Sequence, residues 1–332
     1  MAKARAIVKR RKAVRNIRKI TKTMQMIATA KFQKSLKRGV GTKPYTMKVR
    51  ELVRELAASL GNIEHPLLRR PGEGGLPVSN RIALVILTSD RGLAGAYNGC
   101  VLRTATHFYH QQRDAGKTID IYISGKKGVA YVNFRKIPVA QKIEVFGDMP
   151  KFAMVEKLAE HFMQRFTAGD LDSVHVAYRN FISTGQQKPD VLTLLPLAGV
   201  SEIAEHIGKQ TAEKEAQDVA GMLDSRRTGA DVRAEHMPTP LHSEITYDFM
   251  PSAKELLDEL LPLTVKTALF QAFLDATTSE HVARMVAMKS ATDNADKMQK
   301  ALTMQYNRAR QSQITTELSE IMGGVEAMKG GD

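Results

Sequence analysis

Residues 263–322, LTVKTALFQAFLDATTSEHVARMVAMKSATDNADKMQKALTMQYNRARQSQITTELSEIM, run for sixty positions without a glycine or a proline. As one continuous helix, at ~1.5 Å per residue, the run reaches roughly 90 Å. A helix of that length cannot fold back into a small globule, so it needs something to lie against. Within it Met288, Ala291, Ala295, Met298, Leu302, Gln305 and Ala309 alternate at spacings of three and four. That spacing predicts a heptad seam. Its knobs are Ala and Met with one polar Gln, which permits close approach and stabilises each heptad only weakly.

One other segment has comparable length. Residues 2–38 also lack Gly and Pro, and thirty-seven helical residues span roughly 55 Å. Ile7, Val14, Ile17, Met24 and Ala28 mark one face, widened by Ile20, Ile27 and Phe32. Gly39, Gly41 and Pro44 are expected to interrupt the pattern before it resumes through Leu52, Leu56 and Leu60. The simplest arrangement pairs the two chain ends as an antiparallel coiled coil.

Between them the pattern is α/β. Arg81–Thr88 reads as a buried strand, followed by a loop and a helix near Val101–Gln112. Ile119–Ser124 is a second strand, Phe152–Phe166 an amphipathic helix, and Ser173–Arg179 and Val191–Leu195 are further strands. Alternation of this kind predicts a small, mainly parallel, Rossmann-like sheet covered by helices. Residues 199–242 are rich in Glu, Ala, Lys, Gln and Gly and read as an exposed insertion, with a helix expected over 201–223. Ser252 and Glu255 form a capping box that opens the last helical region, and Pro262 is expected to kink or divide it. The expected organisation is 1–60 for the N-terminal coiled-coil helix, 78–198 for the α/β domain, 199–242 for the insertion and 251–328 for the C-terminal helix.

The charge is one-sided. The chain carries +14 overall, yet residues 1–50 alone hold seventeen Lys or Arg and no acid. The remainder therefore has 32 basic against 35 acidic residues, a net −3. Such an arm calls for an acidic partner: nucleic acid, anionic lipid or an acidic protein surface. A charged helix face is also commonly just solvated. A mitochondrial targeting peptide shares the Arg-rich, acid-poor composition, but here the apolar stripe continues to Phe32 without a break. A DNA-binding helix is the remaining alternative. Against it, the helix must bury one face, and no second recognition motif, stacking platform or zinc site accompanies it.

Other chemistry finds little footing. No run approaches 18 apolar residues, so no membrane-spanning helix is expected, and no secretory signal is visible at the N-terminus. The single Cys100 excludes an internal disulfide framework and suits a reducing compartment. In Ser89–Gly99 (SDRGLAGAYNG) the glycines at 92, 95 and 99 miss the G-x-G-x-x-G spacing of a dinucleotide site. A tight loop with Asp90 as a cap is the expectation there. Gly116-Lys117-Thr118 mimics the end of a P-loop, but Gln111 stands where the earlier glycine belongs. Gly125-Lys126-Lys127-Gly128 also lacks the spacing and reads as a turn. His107 and His110 lie a turn apart without carboxylate or cysteine company, so they read as surface or packing residues. No active site and no cofactor are expected.

Three stretches carry a resemblance. Ile17–Lys31 (IRKITKTMQMIATAK), Thr88–Asn98 (TSDRGLAGAYN) and Ser279–Met328 are similar, in this order, to the signature segments of the gamma subunit of F-type ATP synthases. The match extends over nearly the whole chain. In that family the terminal helices form a coiled coil inside a ring of alternating alpha and beta subunits, and the middle domain lies beside epsilon and the membrane c-ring. The resemblance therefore implies a non-catalytic central-stalk rotor that couples ion flow to conformational cycling of the ring. It implies alpha, beta, epsilon and the c-ring as partners and no nucleic acid. The implied location is peripheral, on the cytoplasmic face of a bacterial inner membrane. By motif position, Met24 would face an acidic loop of beta, and Arg284, Gln311, Thr315 and Glu317 would couple the helices and contact beta. Tyr247 and Asp248 are the implied foot contact with epsilon or the c-ring. Two departures stand out. Where the family has Gly-Leu-Cys-Gly this chain has Gly92-Leu93-Ala94-Gly95, and Met250 replaces the acid that usually precedes the foot proline, here Pro251. The insertion lies near where photosynthetic relatives carry a regulatory loop, and it has no cysteine for disulfide switching.

Overall fold

A computed structural model describes residues 2–60, 65–69, 72, 78–143, 149–197 and 253–329. The expected insertion at 199–242, its helix, Tyr247, Asp248 and Ser252 lie outside the described residues. The elements run α1 (Ala2–Leu60), β1 (Arg81–Leu87), α2 (Tyr97–Asp114), β2 (Thr118–Ser124), α3 (Lys126–Phe134), β3 (Gln141–Ile143), α4 (Phe152–Thr167), β4 (Ser173–Phe181), β5 (Gln187–Leu195) and α5 (Ala253–Lys329). They form two compact units. One comprises Met1–Lys34, Leu93–Ala96 and Glu280–Asp332, and the other Ser35–Gly92 and Tyr97–Ser279, so α1 and α5 contribute to both.

In the second unit the sheet order is β3-β2-β1-β4-β5. All pairings are parallel except β4 with β5. β1 is central, and every residue after Arg81 is buried, as a parallel strand covered on both faces must be. Ala83, Val85 and Leu87 pack toward α4 and the first turns of α5, through Val155, Phe162 and Phe166 and through Leu261, Val265 and Leu269. Ile82, Leu84 and Ile86 alternate to the other face of the strand, and Tyr97, Val101, Leu102 and Ala105 of α2 are buried. Phe162 meets Tyr122 edge-on at 4.8 Å. Lys266 of α5 reaches Glu160 of α4 at 2.7 Å and Glu156 at 2.9 Å.

Three expectations change. Gly125–Gly128 is the start of α3, not a turn. Gly125 takes φ 93° as its N-cap, and a Cβ there would lie 2.2 Å from the Thr88 carbonyl oxygen. At Gly128 a Cβ would lie 2.5 Å from Thr88 Oγ1. Both glycines are required by the close approach of a helix to the end of β1. Second, α1 continues through Gly39, Gly41 and Pro44. Proline costs about 3 kcal/mol in a helix interior; Phe32 and Ser35 before it and Val49 after it are buried. Third, Pro262 does not divide α5, which stays one helix through it, with Leu257, Leu261 and Val265 buried around it.

Candidate functional site

In the first unit the two chain ends lie side by side. The Arg11 guanidinium sits 5.0 Å over the Tyr306 ring. Arg18 Nε donates to the Asp296 carboxylate. Thr292 Oγ1 lies 2.9 Å from Thr21 Oγ1 in a buried hydrogen bond. Numbers rise along one helix as they fall along the other, so the pair is antiparallel. Val14, Thr21 and Ala28 of α1 and Met288, Thr292 and Ala295 of α5 form its buried seam.

The seam follows a different phase from the one expected. Met298 is 54% exposed and Gln305 is exposed. Thr292, Gln299 and Tyr306 turn inward in their place, alongside Leu302 and Ala309. Thr292 Oγ1 is satisfied there by the Met288 carbonyl at 2.8 Å, and the Tyr306 ring packs under Arg11. On α1, Ile7, Val14, Met24, Ala28 and Phe32 keep to the inner face. Ile17, Ile20 and Ile27 are 52%, 59% and 51% exposed, so these three belong to a second, outward stripe.

The carried-over residues fall into separate places rather than one pocket. Met24 is half-buried on α1. Arg284 is buried and paired with Glu280 one turn back at 2.7 Å. Gln311, Thr315 and Glu317 are exposed, roughly 40 Å along α5 from Arg284 at the helical rise. There Thr315 Oγ1 donates to the Gln311 carbonyl at 3.0 Å, and Gln313 Nε2 donates to Glu317 at 2.8 Å. Beside them Ile314, Leu318, Ile321 and Val325 form an exposed apolar stripe at spacings of four, three and four. Sequence reasoning passed over that stripe, because a seam search discards apolar residues that are out of phase.

In the second unit the loop after β1 holds itself together. Ser89 N–H donates to Asn98 Oδ1 at 2.9 Å, and Tyr97 Oη donates to the Leu87 carbonyl at 3.2 Å. Asp90 is a cap, but of α3: its carboxylate accepts the Lys126 N–H at 3.0 Å. The donor that a phosphate would use is thus met by an internal anion. His175 packs tilted against Phe108, ring centroids 4.8 Å apart, and bonds Ser173 and Thr193. Burial, with help from the Lys117 charge, pushes its pKa down to about 4. His107 and His110 are exposed. Among the described residues no helix is long and apolar enough to cross a membrane.

A family model described as ATP synthase matches residues 3–328. The ATP synthase gamma chain of Rhodopirellula baltica is 40% identical over 330 residues, covering 99% of this chain and 100% of the relative. The chain belongs to the ATP synthase gamma-chain family. Another gamma-chain relative, from Rubrobacter xylanophilus, is 34% identical over 331 residues, covering 100% of both chains. Two chains from Euglena gracilis mitochondrial ATP synthase share the fold. One is from the OSCP/F1/c-ring assembly (TM-score 0.59, 16% identity, 99% of this chain and 96% of that one), and the other is from the rotor (TM-score 0.55, 18% identity, 94% and 99%). Gamma-chain membership leaves the nucleic-acid alternative without support.

Proposed function

We propose that the chain is the central-stalk rotor of a rotary ATP synthase, a non-catalytic subunit. It couples ion flow through a membrane c-ring to conformational cycling of an alpha/beta ring. The antiparallel pairing of the chain ends, from Arg11–Tyr306 to Thr21–Thr292, carries this reading. A pair of unlike helices presents a different face in each direction. Equivalent subunits around it are therefore contacted unequally, and each site's affinity shifts by its own differential contacts.

Supporting this, the pair carries exposed apolar residues: Ile17, Ile20 and Ile27 on α1, and Ile314, Leu318, Ile321 and Val325 on α5. Exposed apolar stripes of this kind call for a surrounding protein surface. Met24, Arg284, Gln311, Thr315 and Glu317 serve contact with beta and coupling between the helices. The basic arm faces an acidic loop, with individual exposed pairs contributing ~0–1 kcal/mol. The working division is 1–60 and 251–328 for the shaft, 78–198 for the α/β domain and 199–242 for the insertion. Tyr247 and Asp248 make the foot contact with epsilon and the c-ring. The assembled complex sits peripherally on the cytoplasmic face of a bacterial inner membrane. Mixing the purified chain with alpha and beta subunits tests this. A stoichiometric complex with chain-dependent ATPase activity is expected, and the absence of any complex would refute the assignment.

A further inference from the structure

The seam between α1 and α5 is built mainly of side chains that pack without direction. Val14, Ala28, Met288 and Ala295 are buried there, and apolar contact among small residues of this kind distinguishes poorly between registers. One layer differs. Thr21 and Thr292 are both buried, and their hydroxyl oxygens lie 2.9 Å apart. Thr292 Oγ1 is also 2.8 Å from the Met288 carbonyl, and Thr21 Oγ1 is 3.1 Å from the Arg18 carbonyl.

Two hydroxyl protons serve these three contacts. Either Thr292 donates to its own helix and accepts from Thr21, or Thr21 donates to its own helix and accepts from Thr292. In both arrangements one proton bridges the helices, and oxygens 2.9 Å apart disfavour the third, in which both hydroxyls donate to their own helices and only lone pairs meet. We propose that Thr21 and Thr292 are positioning residues whose buried hydrogen bond fixes the single register in which α1 and α5 turn as one shaft. Only the last clause rests on the rotor reading above. A shift of one heptad sets Thr21 against Met285 or Gln299 and Thr292 against Val14 or Ala28. Such a shift keeps small or flexible side chains across the seam but breaks the hydroxyl bridge. Because valine fills the same space and leaves no hydroxyl to satisfy, replacing both threonines costs little overall stability. What is lost is the discrimination between registers.

The test uses the full chain carrying Cys100→Ser and two cysteine pairs. Arg18→Cys with Asp296→Cys reports the observed register, and Arg18→Cys with Lys289→Cys reports a heptad slip. With both threonines present, oxidation cross-links predominantly the first pair. In Thr21→Val/Thr292→Val the ratio of slipped to native cross-link rises about fivefold or more, with helical circular dichroism unchanged. Thr21→Ser/Thr292→Ser restores the native pattern. Moving the layer one heptad along, by adding Val14→Thr and Gln299→Thr to the double valine variant, restores it too. In the assembled complex without cysteine pairs, the double valine variant transports fewer ions per ATP hydrolysed, and the double serine variant recovers the ratio. An unchanged cross-link pattern in the double valine variant would overturn the proposal. So would loss of its helical signal, or failure of the relocated pair to rescue it. If the unmodified chain forms no complex, the rotor reading fails while the cross-link ratio still decides the hydroxyl pair.

Discussion

The two compact units solve the problem of holding a fold in opposite ways. In the α/β unit, Ile82, Leu84, Val85, Val155, Phe162 and Leu269 are shut off from solvent in close-packed layers. Each large side chain there touches many others, and deleting one leaves a cavity. The helix pair has a thin seam of Val, Ala, Met and Thr, and it leaves large apolar side chains on its outside. The α/β unit keeps most of its apolar residues for itself; the helix pair offers many of them outward. That contrast teaches where to look for function: a residue's exposure matters more than its hydrophobicity.

The largest expected effect tests the packed unit. Phe162→Ala should cost about 3–5 kcal/mol in denaturant unfolding, whereas Val14→Ala in the thin seam should cost about 1 kcal/mol or less. Equal costs would erase the distinction between the units. Gly128→Ala comes next. Its Cβ would meet Thr88 Oγ1 at 2.5 Å and Ile123 Cδ1 at 2.8 Å, so a loss of about 1–3 kcal/mol is expected from thermal unfolding.

Acid sensitivity should also separate the units. His175 is held neutral, with a pKa lowered to about 4 by burial and by Lys117. Between about pH 6.5 and 4 the unfolded chain takes up a proton that the folded chain refuses, so stability falls as pH falls through that window. From this group alone the loss approaches about 3 kcal/mol. His175→Gln should flatten this part of the pH–stability curve, and an unchanged slope would show that His175 protonates without opposing the fold. The smallest effect is expected at Lys266. Glu160 and Glu156 raise its pKa, yet both carboxylates are partly exposed, so Lys266→Met should cost about 1 kcal/mol or less and shrink with added salt.

Legibility followed the same divide. β1 was readable because a continuous apolar run has few alternatives, and α5 because sixty residues without Gly or Pro leave little else. α3 was missed because Gly125 and Gly128 look like turn punctuation; their need arises from Thr88, thirty-seven positions away from Gly125 along the chain. β3 has three residues and no pattern to find. Apolarity reveals the seam but sets its phase wrongly, favouring Met298 over Gln299 and putting Ile17 inside. Periodicity reports that a face exists. It does not say whether that face is buried in the same chain or kept for another.

Rotation is the most direct test. With Cys100→Ser and a probe on Phe134→Cys, at a strongly exposed position of α3, the assembled complex is immobilised through its alpha/beta ring and supplied with ATP. The account predicts stepwise turning in one direction. ATP hydrolysis beside a stationary probe would contradict it.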